Sequence, residues 1–141
     1  MKNLCISENG ASIVDYSSQY HHESRVSNLL LRESNLVWFS DIEALPPHYV
    51  TFKLDEVHKI SRVGIFLHGE SNQNPAHIEF QLSEDNENWT SIVNEPIEHR
   101  QGDFFYDLPN ISSQYVKLIV HSNFGGSGIF ISKVYAFASL E

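Results

Sequence analysis

A chain of 141 residues with 41% hydrophobic and 12% aromatic residues is long enough to fold around its own core and too apolar to be a disordered segment. Its 18 acidic residues against 9 basic residues give a formal net charge of −9. This balance argues against nucleic acid or an anionic membrane as a partner, because both need a basic patch.

The length predicts one domain over residues 1–141. Cys5 is the single cysteine, so an internal disulfide is excluded. No stretch approaches the ~18 apolar residues of a membrane span, and the first ten residues are too polar for a secretory signal. We therefore expect a cytoplasmic protein that is not inserted in a membrane.

The N-terminal third predicts two strands separated by a short helical turn and a loop. The first strand covers residues 11–16, and apolar residues at positions i, i+3 and i+4 within 26–30 predict the helical turn. A polar loop then ends on Trp38 and Phe39. Beyond a pair of prolines, strict alternation of apolar residues predicts a strand at 50–54.

The rest of the chain predicts more short strands with turn residues between them. These strands lie at 60–68, 77–82, 89–93, 104–106, 115–122 and 129–138. The segment 115–122 is apolar almost throughout, which predicts burial on both faces. Eight or nine short strands, one helical turn and no long amphipathic helix predict an all-β sandwich or barrel.

Two local patterns invite a functional interpretation and have a simpler one. His21, His22 and Glu23 could begin a metal site, but adjacent residues rarely point the same way and no third ligand follows at a suitable spacing. The glycine-rich segment 123–128 could suggest a phosphate loop, but a strand follows it where a phosphate loop needs a helix. We interpret it as a loop between strands whose Phe124 could contact a partner.

The remaining candidates do not indicate catalysis. No serine sits in a G-x-S-x-G turn, and paired acids fall in loops where solvated charge is the usual role, so we expect no enzymatic activity. Most of the other histidines, a set that includes His48 and His99, are expected to be solvated. Trp38 and Phe39 could stack on a sugar or a partner, whereas the alternative is that Trp38 plugs the end of the core.

Several motifs resemble one family. They are Ser27-Asn28-Leu29-Leu30, Trp38, Pro46-Pro47, the strand Tyr49–Leu54 and the hairpin Ile78–Ile92. Together they are similar to the discoidin-type domains, also described as coagulation factor C-type or galactose-binding-like. The resemblance implies a single-domain jelly-roll β-sandwich, all-β, with about eight or nine strands.

Within that family the whole chain most resembles the branch of intraflagellar transport protein 25. This resemblance implies a non-enzymatic protein-interaction module, in the cytoplasm and the cilium, that forms a heterodimer with a Rab-like small GTPase. The alternative is a glycan-binding or small-ligand-binding module that uses the loop end of the sandwich.

Members of this fold often bind calcium through an Asp-Gly loop and a Glu that follows an Ala in the last strand. Here Leu31-Arg32 and Ala136-Phe137 stand at those places, so we expect no structural calcium and no cofactor. The candidate residues for ligand or partner contact all fall in predicted loops. They are Tyr20, His21, His22, Arg32, Glu33, Trp38, Phe39, Asn123 and Phe124.

Overall fold

Two long, bent strands form the frame of the fold. The computed structural model describes residues 2–33 and 35–139, and in these ranges the chain forms eight strands and three short 3-10 helices. The strands are β1 (Ser12–Tyr16), β2 (Trp38–Phe39), β3 (His48–Leu67), β4 (Pro75–Ser83), β5 (Thr90–Pro96), β6 (Gly102–Asn123), β7 (Phe130–Ile131) and β8 (Lys133–Ala138). The 3-10 helices are Ser7–Asn9, His22–Ser24 and Val26–Leu30. The prediction of an all-β sandwich is confirmed.

The main sheet has the strand order β1-β3-β6-β4-β5, all antiparallel, with β8 also pairing with β3. The first part of β3 pairs with β1 and with the second part of β6, whereas the later part of β3 pairs with β8 and the first part of β6. The inward side chains of both parts belong to one hydrophobic cluster. The two long strands therefore contribute to both walls of a sandwich around a single core.

The prediction divided these long strands, and the structure joins them. Residues 50–54 and 60–68 belong to β3, whose pairing with β6 shifts register between Lys53 and His58. The predicted strands 104–106 and 115–122 likewise belong to β6. The residues between were expected to break each strand. They instead form irregularities at which the extended backbone bends without ending.

The core follows the alternation of apolar residues. Ile78, Phe80 and Leu82 of β4 are at most 1% exposed, and the polar residues between them face outward or lie at the sheet surface. The expectation that 115–122 is buried on both faces was wrong. In β6 only every second residue of this segment is buried, because an antiparallel sheet covers the core with one face and meets solvent with the other.

Trp38 is a core residue. Its side chain is fully buried, and its indole Nε1 donates a hydrogen bond to the backbone carbonyl of Ser18 at 2.8 Å. Val26 and Leu29 of the predicted helical turn belong to the same cluster, although the turn is a 3-10 helix rather than an α-helix. The structure thus places Trp38 in the core and not on an exposed contact surface.

The predicted last strand, 129–138, is two strands. β7 pairs with β2, and β8 pairs with β3. Strand ends and loops then meet at one end of the sandwich, because Leu67 pairs with Gly102 and Pro75 pairs with Asn123. We call the loops 40–47, 68–74, 97–101 and 124–129 the loop end. In the described ranges no helix is long and apolar enough to cross a membrane.

Candidate ligand-binding loops

Asn123 organises the glycine-rich loop 124–129 with its side chain. The amide nitrogen Nδ2 donates to the carbonyls of Gly126 and Gly128 at 2.9 and 2.7 Å, and Oδ1 accepts from the amide of Gly125 at 2.9 Å. Gly125 and Gly128 have φ values of 97° and 78°, a backbone region that favours glycine. One side chain and two left-handed glycines therefore define the shape of this loop.

The neighbouring loop 68–74 holds the glycine-rich loop from the other side. The carbonyl of Asn72 accepts hydrogen bonds from the amides of Phe124 and Gly126, both at 3.0 Å. A Cβ atom on Gly126 would lie 2.5 Å from Oδ1 of Asn72, so a residue without a side chain is needed for this close approach. The two loops form one connected surface.

Phe124 and His99 stack face to face on that surface. Their ring centroids are 4.1 Å apart with an angle of 9° between the planes. Nε2 of His99 lies 2.8 Å from the carbonyl of Ser71, and a hydrogen bond there makes Nε2 the protonated nitrogen. Phe124 is half-buried and His99 is exposed. We call this pair the ring stack.

A cleft of about 350 Å³ opens on the other side of the glycine-rich loop. Its walls are Ile42, Leu45, Pro46, His48 and parts of the segment 122–128. Leu45 stands at the rim with 84% of its surface exposed. We call it the His48 cleft, and its volume lies within the roughly 300–1,000 Å³ of small-molecule sites.

His48 is an exception to the expectation that most of these histidines are solvated. The residue is only 2% exposed, and its Nδ1 has no hydrogen-bond partner in residues 2–33 and 35–139. Burial lowers the pKa of its imidazole, because removal from water disfavours the charged form. The cleft therefore has a neutral imidazole in its wall, a group that can donate to or accept from a hydroxyl.

Other predicted residues form a separate exposed surface beside the loop end. The amide of Tyr20 donates to the carbonyl of Phe39 at 2.9 Å, and the ring of His21 packs on Tyr20 with centroids 3.8 Å apart. His22 interacts with Arg25, with 2.8 Å between Nε2 and Nη1. Nowhere in the described ranges do three or more His, Cys, Asp or Glu side chains gather as a metal site would require.

Arg32 and Glu33 lie away from the loop end. Nη1 of Arg32 is 3.4 Å from Oε1 of Glu8, and Nζ of Lys133 donates to the carbonyl of Arg32 at 3.2 Å. Glu33 is exposed. These residues belong to the segment that resembles the calcium loop of the family, in which Ser34 is outside the described residues.

The residues that prediction missed are His48 and His99. No local motif marks either residue, because His99 stands in a polar segment and His48 follows two prolines. Phe124 and Asn123 were predicted, and the structure brings them together with both histidines around the glycine-rich loop. That the candidate residues of the sequence analysis contact a ligand or a partner stays a prediction.

A jelly-roll sandwich with a cleft and a ring stack among its end loops is typical of a ligand-binding module. The chain belongs to the F5/8 type C domain family, whose family profile matches residues 8–132. No curated protein matches the chain in a sequence search.

Solved structures resemble the whole chain. The C-terminal domain of a chitobiase from Bacteroides fragilis is 18% identical with a TM-score of 0.82, over 96% of this chain and 98% of that chain. The module CpGH89CBM32-5 from Clostridium perfringens, in complex with GalNAc-β-1,3-galactose, is 18% identical with a TM-score of 0.81, over 97% and 100%. Chitosan-binding module 1 of a Paenibacillus chitosanase/glucanase is 17% identical with a TM-score of 0.80, over 98% and 100%. At these identities the likeness concerns the fold.

The interpretation as an intraflagellar transport subunit was wrong. The family match and the structural neighbours support the discoidin-type jelly roll, and the neighbours described above come from carbohydrate-binding and carbohydrate-active proteins. The ciliary location and the Rab-like GTPase partner depended on that resemblance and have no other support. The findings favour the alternative, a glycan-binding or small-ligand-binding module.

Proposed function

We propose that this chain is a non-catalytic carbohydrate-binding module that holds a sugar residue of a glycan at the loop end. The observation that carries the proposal is the ring stack beside the His48 cleft, on one continuous loop surface. The family and the structural neighbours support it, since one neighbour was solved with GalNAc-β-1,3-galactose and another is named a chitosan-binding module.

The ring stack supplies the apolar contact that a sugar needs. A pyranose ring has faces of C–H groups, which pack on the electron-rich face of an aromatic ring. His99 covers one face of Phe124 and fixes the plane of its ring. The partly exposed remainder of Phe124 is the surface that a sugar residue would contact.

The His48 cleft supplies hydrogen bonds without charge. The residues that form it include neither Lys, Arg, Asp nor Glu in the part of the chain that the structure describes. The hydroxyls of Ser122 and Ser127 can exchange hydrogen bonds with those of a sugar, whereas His48 is only 2% exposed and contributes a neutral wall. A neutral sugar with several hydroxyls matches this lining better than an ionised ligand, because a buried charge without a partner is costly.

Binding can be measured by isothermal titration calorimetry with galactose, GalNAc-β-1,3-galactose and chitosan oligomers as separate probes. We expect at least one of them to bind, and Phe124→Ala to weaken that binding roughly tenfold, equivalent to about 1.4 kcal/mol. Phe105→Ala is the matched control, since Phe105 is a 44% exposed aromatic residue of β6, and it should bind like the wild type.

Two results would contradict the proposal. One is the absence of binding to all three probes and to a broad glycan array. The other is glycan binding that Phe124→Ala leaves unchanged, which would move the site away from the ring stack. Oligosaccharides recovered after incubation should be intact, because the module binds them without cleaving them.

A further inference from the structure

A second cleft lies on the side of the sandwich, between the N-terminal segment, the loop after the 3-10 helix Val26–Leu30 and β8. Its volume is about 320 Å³, and it shares no lining residue with the His48 cleft. Lys2, Arg32 and Lys133 line it, and Glu8 is the acidic residue in its wall. We call it the cationic cleft.

The charge of this cleft is opposite to that of the whole chain. Three of the chain's 9 basic residues meet here, although the formal net charge is −9. Among the described residues, three cations line the cleft against Glu8, and Asp55 interacts with Lys2 from outside the lining. The lining therefore has an excess of positive charge, whose field is concentrated by the low-dielectric walls of the cleft. The sequence gives no sign of it, because positions 2, 32 and 133 meet only after folding.

The charged groups of the cleft are only loosely satisfied within the protein. Arg32 Nη1 lies 3.4 Å from either oxygen of Glu8, and the two side chains are 68% and 57% exposed. An ion pair this long and exposed contributes little stability. Lys133 uses one donor on the carbonyl of Arg32, and an ammonium group has three. A ligand oxyanion could therefore compete with Glu8 for these donors.

The wall of the cleft also has an apolar part. Ile6 and Leu29 are buried beneath it, whereas Leu31 is 41% exposed. The hydroxyl of Tyr135 already donates to Asp103 at 3.0 Å, so Tyr135 offers its ring rather than its hydroxyl. The lining suits a ligand with one oxyanion group on a body of C–H groups.

We propose that the cationic cleft is a second binding site, which takes the carboxylate or sulfate group of an acidic sugar residue. The proposal rests on the proposed function in one respect, namely that the ligand is a glycan. The loop end then holds a neutral residue, and the cationic cleft selects glycans that carry acidic residues. Arg32 and Lys133 bind the oxyanion, because guanidinium and ammonium groups make the strongest hydrogen bonds to carboxylates and sulfates.

The test compares galacturonate oligomers and galactose 6-sulfate with neutral galactose by titration and amide NMR. The acidic sugars should shift signals of residues 2–9, 31–33 and 133–135, and galactose should shift only those of the loop end, at 40–48, 97–101 and 122–129. We expect Arg32→Gln to lower the affinity for the acidic sugars about tenfold. Glu8→Gln should raise the affinity for the acidic sugars, because it removes the carboxylate that competes with them for Arg32. Lys2→Gln is a second variant that removes one positive charge from the cleft. It leaves the contacts of Lys133 and Arg32 unchanged.

Lys117→Gln is the matched control. Lys117 is a cation on β6, 4.5 Å from the ring of Trp89 and outside the cationic cleft, and its loss should leave both classes of sugar unaffected. Phe124→Ala should weaken the binding of galactose and leave the response of the cationic-cleft signals to acidic sugars unchanged. Failure of every neutral sugar to bind would count against the proposed function alone, because the acidic sugars report separately on the cationic cleft.

Three outcomes would overturn the inference. Acidic sugars could shift only the signals of the loop end, or they could bind Arg32→Gln and wild type equally. Inorganic sulfate could also shift the NMR signals of the cationic cleft as strongly as the acidic sugars do at equal concentration. The cleft would then be a site for free anions. A response to galacturonate alone or to galactose 6-sulfate alone supports the inference and identifies which acidic group is preferred.

Discussion

Lys133 donates a hydrogen bond from Nζ to the backbone carbonyl of Arg32, at a distance of 3.2 Å. A fixed ammonium group thus joins the start of β8 to the loop that resembles the calcium loop of the family. The guanidinium of Arg32 adds a second positive charge beside the same backbone. These two cations oppose the binding of a calcium ion at this place, because like charges repel strongly at short range.

We therefore expect calcium to leave the stability of the protein unchanged. Thermal melting in calcium and in a chelator should give the same midpoint. Lys133→Gln should lower the free energy of unfolding by up to about 1 kcal/mol, since it weakens one exposed hydrogen bond. A rise of several degrees in the melting temperature at micromolar calcium would contradict the expectation.

Thr51 offers a direct test of a buried polar group, because its hydroxyl has no hydrogen-bond partner among the described residues. The residue is 1% exposed, and Oγ1 forms no hydrogen bond with residues 2–33 and 35–139. A buried polar group without a partner costs about 1–3 kcal/mol. Thr51→Val keeps the shape and removes the hydroxyl, so we expect the free energy of unfolding to rise by about 1 kcal/mol in urea denaturation.

Thr90→Val is the control for that substitution. Thr90 is an exposed residue at the start of β5, where the same change should alter stability by less than about 0.5 kcal/mol. If Thr51→Val is no more stable than the wild type, the hydroxyl has a partner such as bound water.

Much of the sandwich could be predicted because burial of one sheet face imposes alternation. Residues 77–82 were predicted to form a strand, and its alternating apolar residues Ile78, Phe80 and Leu82 are all buried in the core. The continuity of β3 could not be predicted in the same way. Turn-forming residues at 55–58 are common at strand ends, and whether they end a strand or bend it depends on the pairing partner. Here β6 continues to pair on both sides of the bend.

The candidate sites were harder to predict than the fold, because their residues are distant in sequence. Phe124 could be selected as an exposed tip, but its partner His99 is recognised only when the loops 97–101 and 124–129 meet. The three cations of the cationic cleft come from the N-terminal segment, the calcium-loop segment and β8. No periodicity relates such positions, since tertiary topology alone brings them together.

His48 should make the stability depend on pH. Burial lowers the pKa of its imidazole from the ordinary value of 6.5, so the unfolded chain binds a proton at a pH where the folded chain does not. The stability that neutral His48 contributes is present above pH 6.5. It is lost as the pH falls from that value towards the pKa of the folded state.

Urea denaturation between pH 5 and 8 should show this effect as a difference between variants. His48→Leu should remove the contribution of one titrating group to the slope of the free energy of unfolding against pH. That contribution is at most about 1.4 kcal/mol per pH unit. Thr90→Val, which removes no titratable group from an exposed position, provides the control and should keep the slope of the wild type. Equal slopes in wild type and His48→Leu would contradict the expectation, because they would show that folding does not lower the pKa of His48.

The two tryptophans should differ strongly in their contribution to stability. Trp38 is fully buried, and its indole donates to the carbonyl of Ser18, so Trp38→Ala should cost about 3–5 kcal/mol. Trp38→Phe should cost less, because it keeps an aromatic ring and loses the hydrogen bond. Trp89→Ala is the control of the same residue type. Trp89 is only half-buried beside Lys117, and a cost as large as that of Trp38→Ala would contradict this assignment.

Asn123 connects the shape of the glycine-rich loop to sugar binding. Its Nδ2 donates to Gly126 and Gly128, and its Oδ1 accepts from Gly125. Asn123→Asp keeps the acceptor but replaces both donors with a carboxylate oxygen, which would face two carbonyls. We therefore expect this substitution to displace the loop and to weaken glycan binding at least tenfold, a change that isothermal titration calorimetry would detect.

The control for Asn123→Asp must introduce the same charge elsewhere. Asn94 is an exposed residue of β5 whose Oδ1 lies 2.6 Å from Nε2 of His77. Asn94→Asp keeps an acceptor there, so it should leave both binding and the melting temperature near those of the wild type. Asn123→Ala separates geometry from charge, because it removes the hydrogen bonds without adding an anion. Equal glycan affinity in Asn123→Asp, Asn123→Ala and wild type would mean that the loop conformation does not govern binding.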